Sequence, residues 1–333
     1  SKMKKYLIGV DGGNTKTDYL LYDTDGNFID GIRSGTCSHE ARGLGFDGAY
    51  LVMKEHIDKL LQQNNVSIKD VEGACFGLAG CDVPFEKKAL DEAVEKIGFT
   101  NYIVVNDGFL GIKAASPNGV GVCSINGTGT VNVGIDEANK WFQVGGIGYV
   151  AGDEAGGSFL ARRTIQAVFN MCFRYGEETS LIEDVFSMYE ITSKYDLPDS
   201  LLEKKVDSTY LIKALCKRAN EGDKVAIEIL ETAGENMARS TSGVIRELNL
   251  VEPINVIQAG SVWANATNKI MIVSFIKKVN ELTKRECEFI ILKEPPVLGA
   301  IYWAMELANG KCPTQEQKDK VKKSMQEYQS KQQ

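Results

Sequence analysis

The chain has 333 residues, 43% of them apolar and 25% charged, with 33 glycines; this balance describes a globular α/β protein with room for two cores and excludes a disordered or fibrous one. A formal net charge of -7 and an isoelectric point near 5.2 argue against a nucleic-acid partner, which needs a basic face. No apolar run reaches the ~18 residues of a membrane span and no secretory signal is recognisable, so a cytoplasmic protein with no membrane partner is expected.

The chain opens on an apolar run, Tyr6 to Val10, that ends in Asp11-Gly12-Gly13-Asn14-Thr15-Lys16 and passes at once into a second apolar run to Tyr22. A strand, a tight turn and a strand are predicted. A Walker-type loop would instead feed a helix. The glycines still allow consecutive backbone N–H groups to form a nest for an anion. Phe28 to Arg33 reads as a third strand, and the polar segment 34–42 as a loop. Gly48 to Gln63 has apolar residues at 49, 52, 53, 57, 60 and 61, the spacing of one helix face. Gly73 to Gly80 reads as a strand, Asp82 and Pro84 as the cap and first turn of a helix to Ile97, and Tyr102 to Val105 as a strand ending on Asn106 and Asp107.

The order βββαβαβ then repeats. Val120 to Ile125, the turn Asn126-Gly127-Thr128-Gly129-Thr130, Val131 to Ile135 and Trp141 to Val144 are three strands on tight turns. Helical periodicity fills Ala155 to Leu248, followed by a strand at Ile254 to Gln258, a helix over Asn265 to Leu282, a strand at Cys287 to Leu292 and a helix over Val297 to Leu307. We therefore expect domains at 1–115 and 116–312, the second carrying a helical insertion, and a charged C-terminal helix or tail at 313–333, most simply a solvated helix. If the halves face each other, the two Gly/Thr turns converge on one polyphosphate in a cleft. Eight cysteines form no Cys-x-x-Cys pair and read as buried free thiols.

Asp11 to Thr17, Asn126 to Thr130 and Ala259-Gly260-Ser261-Val262-Trp263 resemble the two phosphate motifs and the adenosine motif of the sugar kinase, Hsp70 and actin superfamily. Their order and spacing are most similar to its N-acetylglucosamine kinase branch, the BadF/BadG/BcrA/BcrD ATPase family, over about Tyr6 to Ala308. The resemblance implies two ribonuclease H-like, actin-like ATPase domains of duplicated topology. It implies ATP with Mg²⁺ as cofactors and an ATP-dependent kinase that phosphorylates a hydroxyl, the 6-OH, of an amino sugar such as N-acetylglucosamine or glucosamine. It also implies a homodimer.

By the same resemblance Gly12, Gly13, Asn14, Thr15 and Lys16 meet the β- and γ-phosphates, Gly127, Thr128, Gly129 and Thr130 mirror them, and Gly260, Ser261 and Gly234 line the adenosine. A carboxylate at the end of a buried strand needs compensation, and Asp11 is the candidate Mg²⁺ ligand, through water. Phosphoryl transfer to an alcohol needs a carboxylate that receives its proton, and Asp107 is the candidate base. Ser38, His39, Asp107, Gly145, Gly146 and Asp153 are the implied sugar contacts, the last three in a loop that holds six glycines between residues 145 and 157. Ser38-His39-Glu40 stands where the family has Asn-His-Trp, so the sugar cannot stack on a tryptophan there and the choice of sugar stays open. His56 lies near an apolar helix stripe and reads as packing. A different class, an ATP-driven switch acting on a protein partner through an iron–sulfur cluster, uses the same fold but needs cysteines that bridge two subunits; an actin-like filament lacks any insertion to support it.

Overall fold

The computed structural model describes residues 3–41 and 43–332; Arg42 and Gln333, part of the expected loop and tail, lie outside them. The chain forms two compact units, residues 1–121 with 292–333 and residues 122–291.

In the first unit a five-stranded sheet is ordered β3-β2-β1-β4-β5. It is built from β1 (Tyr6–Gly12), β2 (Lys16–Asp23), β3 (Phe28–Gly35), β4 (Val71–Leu78) and β5 (Tyr102–Val105). The first three strands are antiparallel, and β4 and β5 join β1 in parallel. Helices α1 (Gly45–Gln62) and α2 (Pro84–Ile97) make the crossovers, and α3 (Phe109–Ala115) follows β5. The apolar stripe of α1, with Met53, Ile57 and Leu60, is fully buried in one core with Ile8, Val10 and Phe76 of the sheet. Asp82 is not the cap of α2, as the sequence suggested. The cap position is Val83, whose N–H is held by the Glu86 side chain at 3.0 Å, while Asp82 accepts from Asn106 Nδ2 at 2.8 Å.

The second unit repeats the order as β10-β9-β6-β7-β8, from β6 (Gly121–Asn126), β7 (Thr130–Ile135), β8 (Trp141–Gly145), β9 (Ile254–Ala259) and β10 (Cys287–Ile291). Between β8 and β9 are α4 (Gly157–Cys172), α5 (Leu181–Tyr189), α6 (Leu197–Glu203), α7 (Ser208–Asn220) and α8 (Lys224–Glu247). The helix expected over Asn265 to Leu282 starts later, as α10 (Ile270–Thr283), and a short helix that was not expected, α9 (Ser261–Ala264), precedes it. The later start has a local cause: the Asn268 side chain accepts the Ile270 N–H at 3.1 Å at the beginning of α10.

The C-terminal region departs from the expected boundaries. Helix α11 (Pro296–Asn309) belongs to the first unit, because its backbone seats in depressions made by glycines. A Cβ on Gly73 would lie 2.2 Å from Ala304 O, and one on Gly299 would lie 2.1 Å from Leu110 O. The tail is α12 (Gln315–Gln332), and it is not simply solvated. Val321 and Met325 are buried, Tyr22 Oη donates to Val321 O at 2.9 Å, and the Phe28 N–H donates to Ser324 Oγ at 2.7 Å. Among the described residues no helix is long and apolar enough to cross a membrane.

Candidate functional site

The β1–β2 turn is the first part of the site. Gly13 N–H closes it on Lys16 O at 2.8 Å. Among the described residues the Asn14 and Thr15 amides have no backbone acceptor, so two donors in a row stand in an exposed turn. Thr36, which the sequence reading passed over, fixes this turn. Its Oγ1 donates to Gly13 O at 2.9 Å and accepts the Ser38 N–H at 3.0 Å, so the β1–β2 turn and the loop after β3 share one hydroxyl. Only its place in a polar loop marked it in the sequence.

Asp11, at the end of β1, lies opposite Asp18 in the β1–β2 ladder. Like charges directly opposite across two strands destabilise the pair unless a cation offsets them. Arg33 serves Asp18, with Nε 2.6 Å from Oδ1 and Nη2 3.0 Å from Oδ2. Among the described residues Asp11 has no such ion pair: burial first, then the charges of Asp107 and Asp18, push its carboxyl up to about 7, against the smaller lowering effect of the Lys16 and Arg33 charges. A carboxylate raised by burial and like charge is the kind of group that a divalent cation returns to its ionised form, so the residues present fit a Mg²⁺ site. The Asp11–Asp18 pairing was implicit in the hairpin register, yet the sequence reading took Asp11 alone.

Asp107 follows β5 and opens α3. Burial pushes its carboxyl up to about 6, against the lowering effect of its own N–H and that of Gly108. The preceding Asn106, 4% exposed, holds the strand end: Nδ2 donates to Asp82 Oδ1 at 2.8 Å and Oδ1 accepts the Gly108 N–H at 2.8 Å. Asn106 is thus a positioning residue for Asp107.

Ser38 and His39 have internal partners. Ser38 is buried, and its Oγ accepts the Glu40 N–H at 3.3 Å. His39 Nε2 lies 2.9 Å from Gly80 O and 2.9 Å from Glu86 Oε2, and its ring stacks on Phe46 at 4.3 Å. The sequence offered no carboxylates to build a metal site on a histidine. The fold brings Glu40 and Glu86 to His39, with ligand atoms within 4.8 Å of one another, but Glu86 is committed to the start of α2 and to the imidazole. His56 stacks on Tyr19 at 5.4 Å, the packing role expected of it.

In the second unit Gly127 N–H closes the β6–β7 turn on Gly129 O at 3.0 Å. The start of α4 grips that turn from behind: Gly157 N–H donates to Gly127 O at 2.7 Å and Ser158 N–H to Thr128 O at 3.1 Å. A Cβ on Gly156 would meet Thr128 O at 2.6 Å, so this close approach requires a glycine there. Among the described residues the Thr128 and Gly129 amides have no backbone acceptor, so this turn repeats the donor pattern of Asn14 and Thr15. Asp153 organises the loop beside it, accepting from Gly148 N–H at 2.7 Å, Gly146 N–H at 3.3 Å and Thr130 Oγ1 at 3.4 Å. Gly145 and Gly146 have φ of +89° and +83°, the left-handed region that favours glycine.

Gly260 turns the end of β9 at φ +102°, where a Cβ would lie 2.3 Å from Asn126 O, and Ser261 is exposed at the start of α9. Gly234 is placed otherwise than expected. It is buried in α8 against α10, where a Cβ would come within 2.3 Å of Met271 O, so close helix packing accounts for it.

A model of the BadF/BadG/BcrA/BcrD ATPase family matches residues 8–304. An N-acetylmuramic acid/N-acetylglucosamine kinase of Clostridium acetobutylicum is 24% identical over 301 residues, 89% of this chain and 97% of its own. An N-acetyl-D-glucosamine kinase of Dictyostelium discoideum is 26% identical over 261 residues, 74% of this chain and 81% of its own. Among solved structures, a protein of Chromobacterium violaceum provisionally named an N-acetylglucosamine kinase superposes with a TM-score of 0.61 at 18% identity, over 92% of this chain and 99% of that one. A ROK family glucokinase of Streptomyces griseus, solved with glucose and AMPPNP, gives 0.56 at 14% identity, over 90% and 99%. At these identities the structural likeness establishes the two-domain actin-like ATPase fold.

Proposed function

The chain belongs to the BadF/BadG/BcrA/BcrD ATPase family, and from that premise we propose that it is an ATP-dependent kinase transferring the γ-phosphate to the 6-OH of an amino sugar such as N-acetylglucosamine or glucosamine. The observation that carries this reading is the pairing of two carboxylates beside the first phosphate turn: Asp11, pushed up to about 7 in part by the charge of Asp107, and Asp107, pushed up to about 6 by burial. A general base works best with a pKa near the operating pH, and the second carboxylate suits a cation.

In this mechanism the backbone donors of Gly12 to Lys16 and of Gly127 to Thr130 take the phosphate oxygens of ATP, and Gly260 and Ser261 adjoin the nucleoside. Mg²⁺ held at Asp11 through water would neutralise phosphate charge. Asp107 accepts the proton of the sugar hydroxyl as its oxygen forms the new bond to the γ-phosphorus; the bond from that phosphorus to the β-phosphate oxygen breaks and ADP leaves. Asn106 keeps Asp107 in position, and the loop carrying Gly145, Gly146 and Asp153, with Ser38 and His39, contacts the sugar hydroxyls. The protein-switch alternative draws no support from the thiols: six of the eight cysteines are buried, and burial pushes Cys81 up to about 12.

Phosphorus NMR of the product made from ATP, Mg²⁺ and N-acetylglucosamine tests the reading. A phosphomonoester coupled to the C6 protons is expected. Phosphate on C1, or inorganic phosphate alone, would refute it.

A further inference from the structure

An open cavity of about 600 Å³ is lined by helices of the insertion of the second unit, within the ~300–1,000 Å³ of pockets that take ligands of drug size. One wall is a single ridge of α4, with Ser158, Arg162, Gln166 and Asn170 at successive i+4 positions. The aromatic residues Phe169, on the same helix, Tyr175 and Tyr189 also line it. Arg162 has no acidic partner among the described residues; its guanidinium instead lies over the ring of Tyr149 at 5.5 Å. The hydroxyl of Tyr189, a residue 1% exposed, is buried without a hydrogen-bond partner. A buried unpaired hydroxyl costs stability, which makes it a candidate for a partner that comes with a ligand.

The cavity starts where the sugar loop ends. Ser158 follows Gly157 in the chain, and Tyr149, the ring under Arg162, belongs to that loop. The polar groups along the ridge are a hydroxyl, a guanidinium and two carboxamides. Carboxamides match peptide amides in donor and acceptor number, and the guanidinium matches a carboxylate. An acyl arm of a few atoms would fill only a corner of such a space.

We propose that this cavity is an extension subsite for an amino sugar whose acyl or ether arm carries a short peptide ending in a carboxylate. Arg162 takes the carboxylate, Gln166 and Asn170 take the amides, Phe169 and Tyr175 cover the apolar side chains, and the Tyr189 hydroxyl gains its missing partner. The proposal rests on the sugar-kinase reading for the sugar end of the ligand and on this cavity alone for the arm.

Calorimetric binding to the full chain, with turnover measured in parallel, separates the two. The probes are N-acetylglucosamine, N-acetylmuramic acid, N-acetylmuramoyl dipeptide and the uncharged disaccharide of N-acetylglucosamine. The dipeptide conjugate should bind about tenfold or more tightly than N-acetylmuramic acid, as expected when charge-assisted and amide hydrogen bonds are added. Arg162→Glu should weaken the conjugate about tenfold more than it weakens N-acetylglucosamine. Tyr189→Phe should leave the melting temperature level or higher while weakening the conjugate, an outcome that a purely structural hydroxyl would not give. Equal binding of conjugate and bare sugar, tighter binding of the disaccharide, or an Arg162→Glu effect equal on all sugars would overturn the proposal. If no sugar is phosphorylated but the conjugate binds selectively, the kinase reading fails and the subsite stands.

Discussion

At the scale of single residues, Asp107 and Asp11 carry the account, and both make it testable by pH. Asp107 is raised to about 6, so kcat/KM should fall about tenfold per pH unit below that value as the base is protonated, and level off above it. Asp107→Asn should lose ~10²–10⁴ in turnover. Its effect on stability has the opposite sign. A raised carboxyl pKa means that the folded state holds the proton more tightly than the unfolded chain, so the ionised carboxylate costs stability above about 6. Asp107→Asn, and likewise Asp11→Asn in metal-free protein, should therefore raise the melting temperature at pH 8, with the gain fading as pH falls toward the ordinary carboxylate value. Thermal unfolding across that range checks it; a melting temperature lowered at pH 8 would contradict the burial argument. Mg²⁺ with nucleotide should also displace a proton near pH 7, because Asp11 is raised to about 7 and must ionise to serve a cation. Calorimetry in buffers of different ionisation enthalpy measures that proton, and its absence in wild type would remove Asp11 from the metal site. Asp107 was legible in the sequence because it ends an apolar strand. The Asp82–Asn106 link and the His39–Glu86 pair were not, since each joins segments whose approach only the folded sheet determines.

At the scale of elements, the glycines divide into two kinds that the sequence cannot separate. Some make room for a neighbouring backbone and others leave room for a ligand. A Cβ on Gly73 would lie 2.2 Å from Ala304 O, and a backbone atom of α11 cannot step aside as a flexible side chain does. Gly73→Ala should destabilise by ~1–3 kcal/mol or more, read from the denaturant midpoint. Gly129 has nothing within 4 Å of an added Cβ, so Gly129→Ala should melt near wild type but raise the KM for ATP, because the methyl group stands where a phosphate would approach. Comparable stability loss in both variants would undo the distinction. The strands and turns were readable because alternation and Gly/Thr turns are local signals, and the expected Tyr102 to Val105 strand matches β5. The tail's helix was readable but its packing was not: the sequence is charged and weakly periodic, yet Val321 and Met325 are buried and the backbone of Phe28 is held by Ser324. Deleting 313–333 should lower the melting temperature, most visibly in probes of β2 and β3.

At the scale of the whole molecule, the duplicated order of five strands, β3-β2-β1-β4-β5 and β8-β7-β6-β9-β10, is the feature that the sequence carried most fully. Its limit was the path of the chain after β10. The sequence assigned 292–312 to the second half by proximity, whereas those residues belong to the first unit, where α11 packs closely at Gly9 and Gly73, far earlier in the chain. The helical insertion read as periodic but its cavity did not, because a cavity depends on which faces of α4 and α5 stay unfilled. Function follows the same division. The proposed phosphate turns are local signals, whereas the proposed sugar contacts at His39 and Asp153 depend on how distant segments are held. The most direct test of the central claim is ADP release measured with and without sugar, using glucosamine, N-acetylglucosamine, N-acetylmuramic acid, glucose and N-acetylmannosamine, on wild type and Asp107→Asn. The account predicts release that requires an amino sugar and collapses in the variant; release that ignores sugar and survives Asp107→Asn would contradict it.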